Sequence, residues 1–213
     1  MKSEGTCNFC KKRFLGSAML KHLQACTDRK KQIESDKAEG KVFLIKASCE
    51  PFWVYFETNS TSTLSNIDSF LRDLWLECCG HLSLFTINGI NYASNPQPGH
   101  GDKSIDISID KVLSKGLVFH YEYDFGTTTY LALKAISTRT GNLEDINIIA
   151  RNIIPDLKCK CGQLAKEICI DRACKGNGLL CKKCTKKYEC GEEMLLPFVN
   201  SPRSGMCGYT GED

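Results

Sequence analysis

Apolar positions in the middle of the chain follow two different periods. Residues 42–48 and 52–58 are rich in β-branched and aromatic side chains, which predicts two strands. From Leu64 to Cys78 the apolar residues recur every three or four positions, and Gly80 follows. This spacing predicts an amphipathic helix that ends close to Gly80.

The alternating pattern returns after the helix. Four further strands are predicted, at residues 82–87, 90–93, 117–123 and 127–137. The first two flank Asn88-Gly89, a dipeptide typical of a type I′ hairpin. The last two flank Asp124-Phe125-Gly126, which predicts a tight turn with Phe125 packed into the core and Gly126 supplying backbone freedom. Residues 146–150 predict a strand or a short helix.

These elements together predict an α+β fold, with a central mixed or antiparallel sheet and one or more packed helices. The chain has 213 residues, of which 42% are hydrophobic and 25% charged, enough for one ordinary domain plus small modules. No apolar run approaches the roughly 20 residues of a transmembrane helix, and residues 1–14 lack the apolar region of a signal peptide. We therefore expect a cytoplasmic protein with no membrane partner.

The 14 cysteines are concentrated towards the two ends of the chain. Three lie within residues 7–26 and eight within residues 159–207. Because a reducing compartment disfavours disulfides, these two groups are interpreted as metal ligands. The remaining three cysteines and the neighbouring histidine are interpreted as structural residues: Cys49, Cys78, Cys79 and His81.

Charge divides the chain along similar lines. The net charge is +6 for residues 1–46, −6 for 47–157, +7 for 158–187 and −4 for 188–213, which gives +3 for the whole chain. Charge and cysteine content together predict four segments. They are a zinc-finger-like module with three cysteines and one histidine at 1–30, a linker at 31–41, the α+β domain at 42–157, and a Cys-rich zinc-binding module with its tail at 158–213.

The N-terminal module has the spacing of a zinc site. Cys7 and Cys10 form a short knuckle, and His22 and Cys26 lie one helical turn apart if residues 17–26 are helical. Eleven residues separate Cys10 from His22, one fewer than the usual spacing. The basic residues of this module either contact phosphates or form a solvated face: Lys11, Lys12, Arg13 and Lys21.

The C-terminal cysteines fall into four successive pairs, namely Cys159 with Cys161, Cys169 with Cys174, Cys181 with Cys184, and Cys190 with Cys207. Joining the first pair to the third and the second to the fourth gives two zinc sites, in a cross-brace that resembles RING and B-box modules. Joining neighbouring pairs is the alternative, and spacing does not decide between them. With the N-terminal site, two or three zinc ions are predicted; an iron–sulfur cluster is a further alternative.

The basic residues of the C-terminal module have two interpretations. They offset the negative charge of metal-bound thiolates, or they contact the nucleic-acid backbone. The candidate nucleic-acid-binding residues are Lys182, Lys183, Lys186 and Lys187.

No catalytic residue is assigned from the sequence. The Asp-Phe-Gly triplet lacks the other protein-kinase motifs, and there is no nucleophile elbow, Walker loop or dinucleotide fingerprint. A site closed by four cysteines leaves no position for a reactive water, which indicates a structural metal.

Two segments together resemble a known family. LRDLWLECCGHLS at residues 71–83, followed by YEYDFGT at residues 121–127, is similar to the plasmid ORF-three-like (pRiA-type) family, whose members are sometimes labelled TnpR passenger proteins. The resemblance covers about residues 42–155 and implies an α+β domain with a mixed sheet and helices on one face. Many members carry a tryptophan shortly after the Asp-Phe-Gly turn, where this sequence has TTTY at residues 127–130.

The sequence thus predicts a zinc-binding, non-catalytic protein whose basic modules contact nucleic acid or a protein partner, with a link to mobile elements. Two alternatives stay open: a protein–protein adaptor of RING or B-box type, and an enzyme that uses the acidic central domain. Binding to nucleic acid weakens steeply as the salt concentration rises, whereas binding by a protein–protein adaptor depends little on salt, so salt dependence distinguishes these two functions.

Overall fold

The computed structural model describes residues 3–35, 39–99, 101–173, 178–188 and 191–211. The chain divides into two compact units. Unit 1 comprises Met1–Leu71 and Leu82–Ile153, and unit 2 comprises Arg72–His81 and Ile154–Asp213. Within the described ranges, no helix combines the length and the apolar character needed to cross a membrane.

Unit 1 is organised around one large sheet, to which the described residues contribute ten strands. The strands are β1 (Glu4–Cys7), β2 (Arg13–Leu15), β3 (Lys41–Cys49), β4 (Phe52–Asn59), β5 (Ser83–Ile87), β6 (Ile90–Ala93), β7 (Lys103–Ser104), β8 (Val118–Tyr123), β9 (Thr129–Thr140) and β10 (Asn147–Asn152). Their order in the sheet is β2-β1-β10-β4-β3-β9-β8-β5-β6-β7. The β6–β7 pair is parallel and the other pairs are antiparallel. The predicted α+β fold with a mixed sheet is confirmed.

Helices cover both faces of the central strands. They are α1 (Gly16–Ala25), α2 (Thr27–Ser35) and α3 (Leu64–Leu71). On one face, Tyr55 of β4 packs in a buried cluster with Met19 and Leu23 of α1. The next residue, Phe56, points to the other face, where its ring centroid lies 4.8 Å from that of Phe70 in α3. This double cover explains why β4 reads as a continuous apolar run instead of an alternating one.

The predicted helix that begins at Leu64 is present, but it consists of an α-helix followed by a π-helical turn. The α-helix ends at Leu71, and Arg72–Leu76 continue as a π-helical turn. The Glu77 N–H donates to the Arg72 carbonyl at 2.9 Å, which is the five-residue spacing of that geometry. Apolar periodicity does not distinguish the two helix types over a single turn.

Both predicted turns form. Asn88 and Gly89 have φ values of 52° and 76°, as a type I′ hairpin requires. At the second turn, the roles predicted for individual residues are wrong. Asp124, with φ 65°, takes the left-handed conformation, and its Oδ1 accepts a 3.0 Å hydrogen bond from the Gly126 N–H. Phe125 is 53% exposed because this local bond, and not apolar packing, stabilises the turn.

The N-terminal segment belongs to unit 1 and extends its sheet. Strand β1 pairs with β10, with Cys7 opposite Ala150, and also with β2. The separate module predicted at 1–30 is therefore continuous with the α+β domain in the structure. The predicted linker at 31–41 begins within α2, and residues 36–38 lie outside the described residues. A four-residue strand that pairs with a partner more than 140 positions away carries no local signal.

Glycines allow this segment to approach the sheet closely. A Cβ placed on Gly5 would lie 2.3 Å from Cη2 of Trp53, and one on Gly16 would lie 2.6 Å from Nε1 of the same indole. The Trp53 Nε1–H donates to the Ser3 hydroxyl at 2.8 Å, so the ring is held against the N-terminal backbone. A side chain at either glycine therefore displaces a buried tryptophan.

We expect Gly5→Ala to destabilise unit 1 by about 1–3 kcal/mol, since overpacking a closed site forces its neighbours out of place. Urea unfolding followed by tryptophan fluorescence measures the change, with Trp75 replaced by phenylalanine so that the emission comes from Trp53. Gly126→Ala is the matched control, because the nearest atom to a Cβ there is Asp124 Oδ1, at 3.4 Å, an ordinary van der Waals distance. Equal stability of the Gly5→Ala variant and the wild type would show that the segment does not pack as described.

One buried cluster of unit 2 is built largely from cysteines. Its elements are β11 (Glu167–Cys169), α4 (Ile170–Ala173), β12 (Leu179–Leu180), α5 (Lys182–Lys187) and β13 (Leu195–Pro197). The three strands form an antiparallel sheet in the order β12-β11-β13. The buried cluster contains four cysteines and Leu180, with Tyr188 and Leu195 packed against it. So little apolar surface in this cluster indicates that other interactions stabilise this part of unit 2.

Candidate metal centres

Among the described residues, three groups of cysteine and histidine side chains converge. The N-terminal cluster is Cys7, Cys10, His22 and Cys26; the knuckle cluster is Cys159, Cys161, Cys181 and Cys184; the tail cluster is Cys78, Cys79, His81 and Cys207. Within each cluster the four donor atoms lie within 4.8 Å of one another. Tetrahedral coordination with metal–sulfur bonds of about 2.3 Å places sulfur atoms about 3.8 Å apart. Each of the three clusters therefore has the dimensions of a site for one metal ion.

In the N-terminal cluster, the loop that carries Cys7 and Cys10 lies at the end of β1. The Lys11 N–H donates to the Cys7 carbonyl at 2.9 Å, and the Cys7 N–H donates to the Lys12 carbonyl at 3.1 Å. Lys11 adopts a φ of 59° to close this turn. Asn8 fastens the turn to β10, because its Nδ2 donates to the Ile148 carbonyl at 2.6 Å. The first two sulfurs are thus positioned by the sheet itself.

The second half of the N-terminal cluster comes from α1. His22 lies in its last turn, and Cys26 follows the helix directly. The Phe14 ring stacks on the His22 imidazole, with centroids 3.8 Å apart, and His22 Nε2 lies 3.3 Å from Cys10 Sγ. Burial, together with the positive charge of Lys12, lowers the pKa of His22. Both effects favour the neutral imidazole, the form that binds a metal.

The Cys7 thiol needs a nearby cation if it is to ionise at neutral pH. Burial raises the pKa of Cys7 to about 11, against an ordinary value of 9.0. A bound metal would replace the proton and stabilise the thiolate directly. Metal binding at this cluster would therefore release the Cys7 proton.

In the knuckle cluster, a short loop presents the first two cysteines. The Gly162 N–H donates to the Cys159 carbonyl at 2.8 Å, and Gly162 has a φ of 86°. Cys181 precedes α5, and Cys184 lies in its first turn. The Cys161 and Cys181 sulfurs, one from each half of the site, are 3.6 Å apart. Cys161 is exposed, whereas the other three cysteines are at most 8% exposed.

The thiols of the knuckle cluster ionise unequally. Burial opposes ionisation of Cys159, but hydrogen bonds from the backbone and from neighbouring thiols lower its pKa to about 7. Hydrogen bonding to Cys161 and Cys159 raises the pKa of Cys184 to about 12. Close thiols give up the first proton readily and the last with difficulty, since the accumulated negative charge repels further ionisation. A divalent cation removes that repulsion.

The pairing of the C-terminal cysteines follows the first predicted alternative in part. The structure brings together the first and third pairs, as in the cross-brace arrangement. The predicted second group is not formed by Cys169 and Cys207: Cys169 is fully buried at the end of β11, and Cys207 lies in the tail cluster. Cys174 and Cys190 lie outside the described residues.

Sequence reasoning misses the tail cluster. It predicts structural roles for Cys78, Cys79 and His81, but Cys79 is exposed and Cys78 half-buried. The Cys207 sulfur lies 3.7 Å from the Cys79 sulfur and 3.4 Å from His81 Nε2. Three donor residues within four positions after a helix are a signal, yet their fourth partner is more than 120 residues away.

A basic groove of about 770 Å³ opens over the knuckle cluster. Its lining includes three of the four cysteines and four lysines: Lys166, Lys182, Lys183 and Lys187. Three of the predicted nucleic-acid-binding lysines thus face one cavity, while Lys186 is exposed on α5 outside its lining. The predicted basic residues of the N-terminal cluster are all exposed: Lys11, Lys12, Arg13 and Lys21.

Comparisons with known proteins add little to this geometry. No family model matches the sequence, and no curated protein matches it. A search of solved structures finds MM3350, a protein of unknown function from Methanosarcina mazei Go1, with 14% sequence identity and a TM-score of 0.43. The alignment covers 53% of this chain and 68% of that chain. The resemblance to the plasmid ORF-three-like family stays a prediction.

Proposed function

We propose that this protein is a non-catalytic zinc protein that contacts the nucleic-acid backbone through the basic groove over the knuckle cluster. The observation that carries the proposal is the convergence of four lysines on the cavity that three of the cluster's cysteines line. The N-terminal cluster, with its own exposed basic residues, provides a second surface of the same kind.

The choice of zinc follows from the donor atoms. A cluster of four cysteines and a cluster of three cysteines with one histidine are typical ligand sets of structural zinc. Four protein ligands close the coordination sphere and leave no position for a reactive water, so the metal would supply folding free energy and no chemistry. These side chains hold the knuckle loops and the adjoining helices in place.

The number of lysines supports the second interpretation of the basic charge, contact with the nucleic-acid backbone. Four thiolates around a divalent cation leave two negative charges, which two lysines would offset. The groove has four, and all four are exposed. The surplus lies on a surface that a phosphate backbone can reach, and such contacts need charge and little else.

Charge reversal in the groove tests this assignment. We expect Lys182→Glu/Lys183→Glu to weaken binding to a labelled DNA or RNA duplex at low salt, and to reduce the slope of log K against log salt by about two. Fluorescence anisotropy at several salt concentrations measures both quantities.

The matched control is Lys111→Glu/Lys115→Glu, which makes the same change in net charge at exposed positions of unit 1. It should retain the wild-type slope. Absence of binding by the wild-type protein at low salt would refute the proposal. Binding of the duplex that does not depend on salt would also contradict it, because contacts with phosphates release counterions.

A further inference from the structure

We propose that the tail cluster is a third zinc site, which fastens the C-terminal tail to the turn after the π-helical segment and exchanges its metal more readily than the other two clusters. The site uses three thiolates and one imidazole, a ligand set that zinc accepts in tetrahedral geometry. This inference concerns residues that the proposed function does not use.

Hydrogen bonds of Arg72 and Glu77 hold the segment that carries the first three ligands. Arg72 Nη1 donates to Glu77 Oε2 at 2.9 Å, and Glu77 Oε1 accepts a 2.6 Å hydrogen bond from the Gly80 N–H. Arg72 Nη2 donates to the His81 carbonyl at 2.7 Å. Gly80 has a φ of 68°, which turns the chain sharply between Cys79 and His81. Such bonds to ligand-bearing backbone are the support that metal sites require.

The fourth ligand is presented by a tight, strained segment. Cys207 has a φ of 48°, a left-handed conformation that costs a non-glycine residue on the order of 1 kcal/mol or more. The segment before it is anchored within unit 2, because the Ser201 hydroxyl donates to the Trp75 carbonyl at 2.6 Å. Strain of this kind is retained where other interactions compensate for it, and a metal–sulfur bond at Cys207 would do so.

Charge complementarity supports an anionic site. Arg203 is fully buried, and its Nη2 lies 3.5 Å from Cys78 Sγ. Three thiolates around a divalent cation leave one negative charge. A buried guanidinium is stabilised by a nearby anion, so this contact fits a metal-bound thiolate better than a neutral thiol.

Exposure distinguishes this cluster from the other two. Both sulfurs that face each other here, those of Cys79 and Cys207, belong to exposed residues. The N-terminal cluster has two buried cysteines and the knuckle cluster three. Water and chelators reach an exposed metal–thiolate bond first, so zinc in the tail cluster should leave first.

Native mass spectrometry of the full chain, purified with zinc under reducing conditions, tests the count. We expect one zinc ion for each of the three clusters of the described residues in the wild type, and one fewer zinc ion in total for both Cys79→Ser and Cys207→Ser. Cys49→Ser is the matched control, since Cys49 belongs to none of the three clusters, and it should keep the wild-type count. With a limited amount of chelator, the first zinc lost from the wild type should be the one that these variants lack.

Trypsin provides a second readout that does not depend on counting metal. Arg203 is the one basic residue between Lys187 and Asp213, and it is fully buried. The zinc-loaded wild type should resist cleavage after Arg203, whereas Cys79→Ser and the mildly chelated wild type should release a peptide of residues 204–213.

Two results would overturn the proposal. One is a zinc count that is the same in the wild type, Cys79→Ser and Cys207→Ser. The other is a wild-type mass lower by two hydrogen atoms, with no third zinc, which would identify a Cys79–Cys207 disulfide. Failure of nucleic-acid binding changes neither result, so the two proposals fail separately.

Discussion

Cys159→Ser is expected to unfold the part of unit 2 around the knuckle cluster while unit 1 keeps its structure. Cys159 is 2% exposed and contributes to both the knuckle cluster and the cysteine-rich buried cluster of this unit. A structural zinc contributes about 10 kcal/mol or more of folding free energy at neutral pH, far more than the one buried leucine of that buried cluster provides. Hydrogen exchange should therefore show lost protection in β11, β12 and α5, and unchanged protection in β3 and β4.

The matched control for this variant is Leu195→Ala. Leu195 packs against the same buried cluster, and its side chain has no atom that binds a metal. Its truncation should cost about 1–2 kcal/mol and leave the zinc count unchanged. Protection in Cys159→Ser equal to that in Leu195→Ala would contradict a structural metal at the knuckle cluster.

Lowering the pH should weaken zinc binding at the knuckle cluster, as the Cys159→Ser substitution should. Without metal, the pKa of Cys184 is about 12, so this thiol is protonated at neutral pH and zinc binding must displace its proton. Zinc affinity accordingly falls as the pH falls, by about tenfold per pH unit for each displaced proton. Titration with a competing zinc chelator between pH 6 and 8 would measure the slope.

The second large effect is expected at Glu57 in unit 1. This residue lies on β4 with its side chain 2% exposed. Its carboxylate accepts hydrogen bonds from Arg29 of α2 and from Arg139 of β9, the latter through Nε at 3.0 Å and Nη2 at 2.7 Å. Glu57→Gln leaves two largely buried guanidinium groups without this carboxylate, which should cost about 3–5 kcal/mol.

Urea unfolding measures this loss, with Glu144→Gln as the control at an exposed position. The control should remain within about 0.5 kcal/mol of the wild type. Removing one of the cations as well, in Glu57→Gln/Arg139→Gln, should recover part of the lost stability, because the two side chains are directly coupled. A cost below about 1 kcal/mol for Glu57→Gln would show that the network does not stabilise unit 1.

Arg29 also links this network to the N-terminal cluster. It lies on α2, three residues after Cys26, and its Nη1 donates to the Leu23 carbonyl of α1 at 3.2 Å. The same side chain thus joins the carboxylate on β4 to the helix that carries His22. The Glu57→Gln variant should consequently bind zinc less tightly at the N-terminal cluster, as well as being less stable.

Local signals in the sequence predict local structure well. The hairpin at Asn88-Gly89 and the four donors of the N-terminal cluster are set by spacing within a short segment, and spacing is visible in one sequence. The strands of the central sheet are predictable for the same reason. The joining of Cys159 and Cys161 to Cys181 and Cys184 is one of two alternatives that spacing leaves open.

Contacts between segments that lie far apart in the chain are not predictable from the spacing of residues in one sequence. The pairing of β1 with β10 depends on a register between segments at opposite ends of unit 1. Spacing along the chain groups Cys207 with Cys190, whereas its neighbours in space among the described residues come from residues 78–81. Both cases have one physical cause: contacts between distant segments depend on the whole fold and leave no periodic pattern in the sequence.

The discontinuity of unit 2 has a consequence for synthesis on the ribosome. The Trp75 carbonyl accepts its bond from Ser201, which is made 126 residues later. At roughly 5–20 residues per second, the nascent segment Arg72–His81 therefore waits on the order of 6–25 s before this partner is polymerised. During that interval the thiols of Cys78 and Cys79 are exposed to the cell without the fourth donor of their cluster. Unit 2 is therefore completed late in synthesis, after most of unit 1 has left the ribosome.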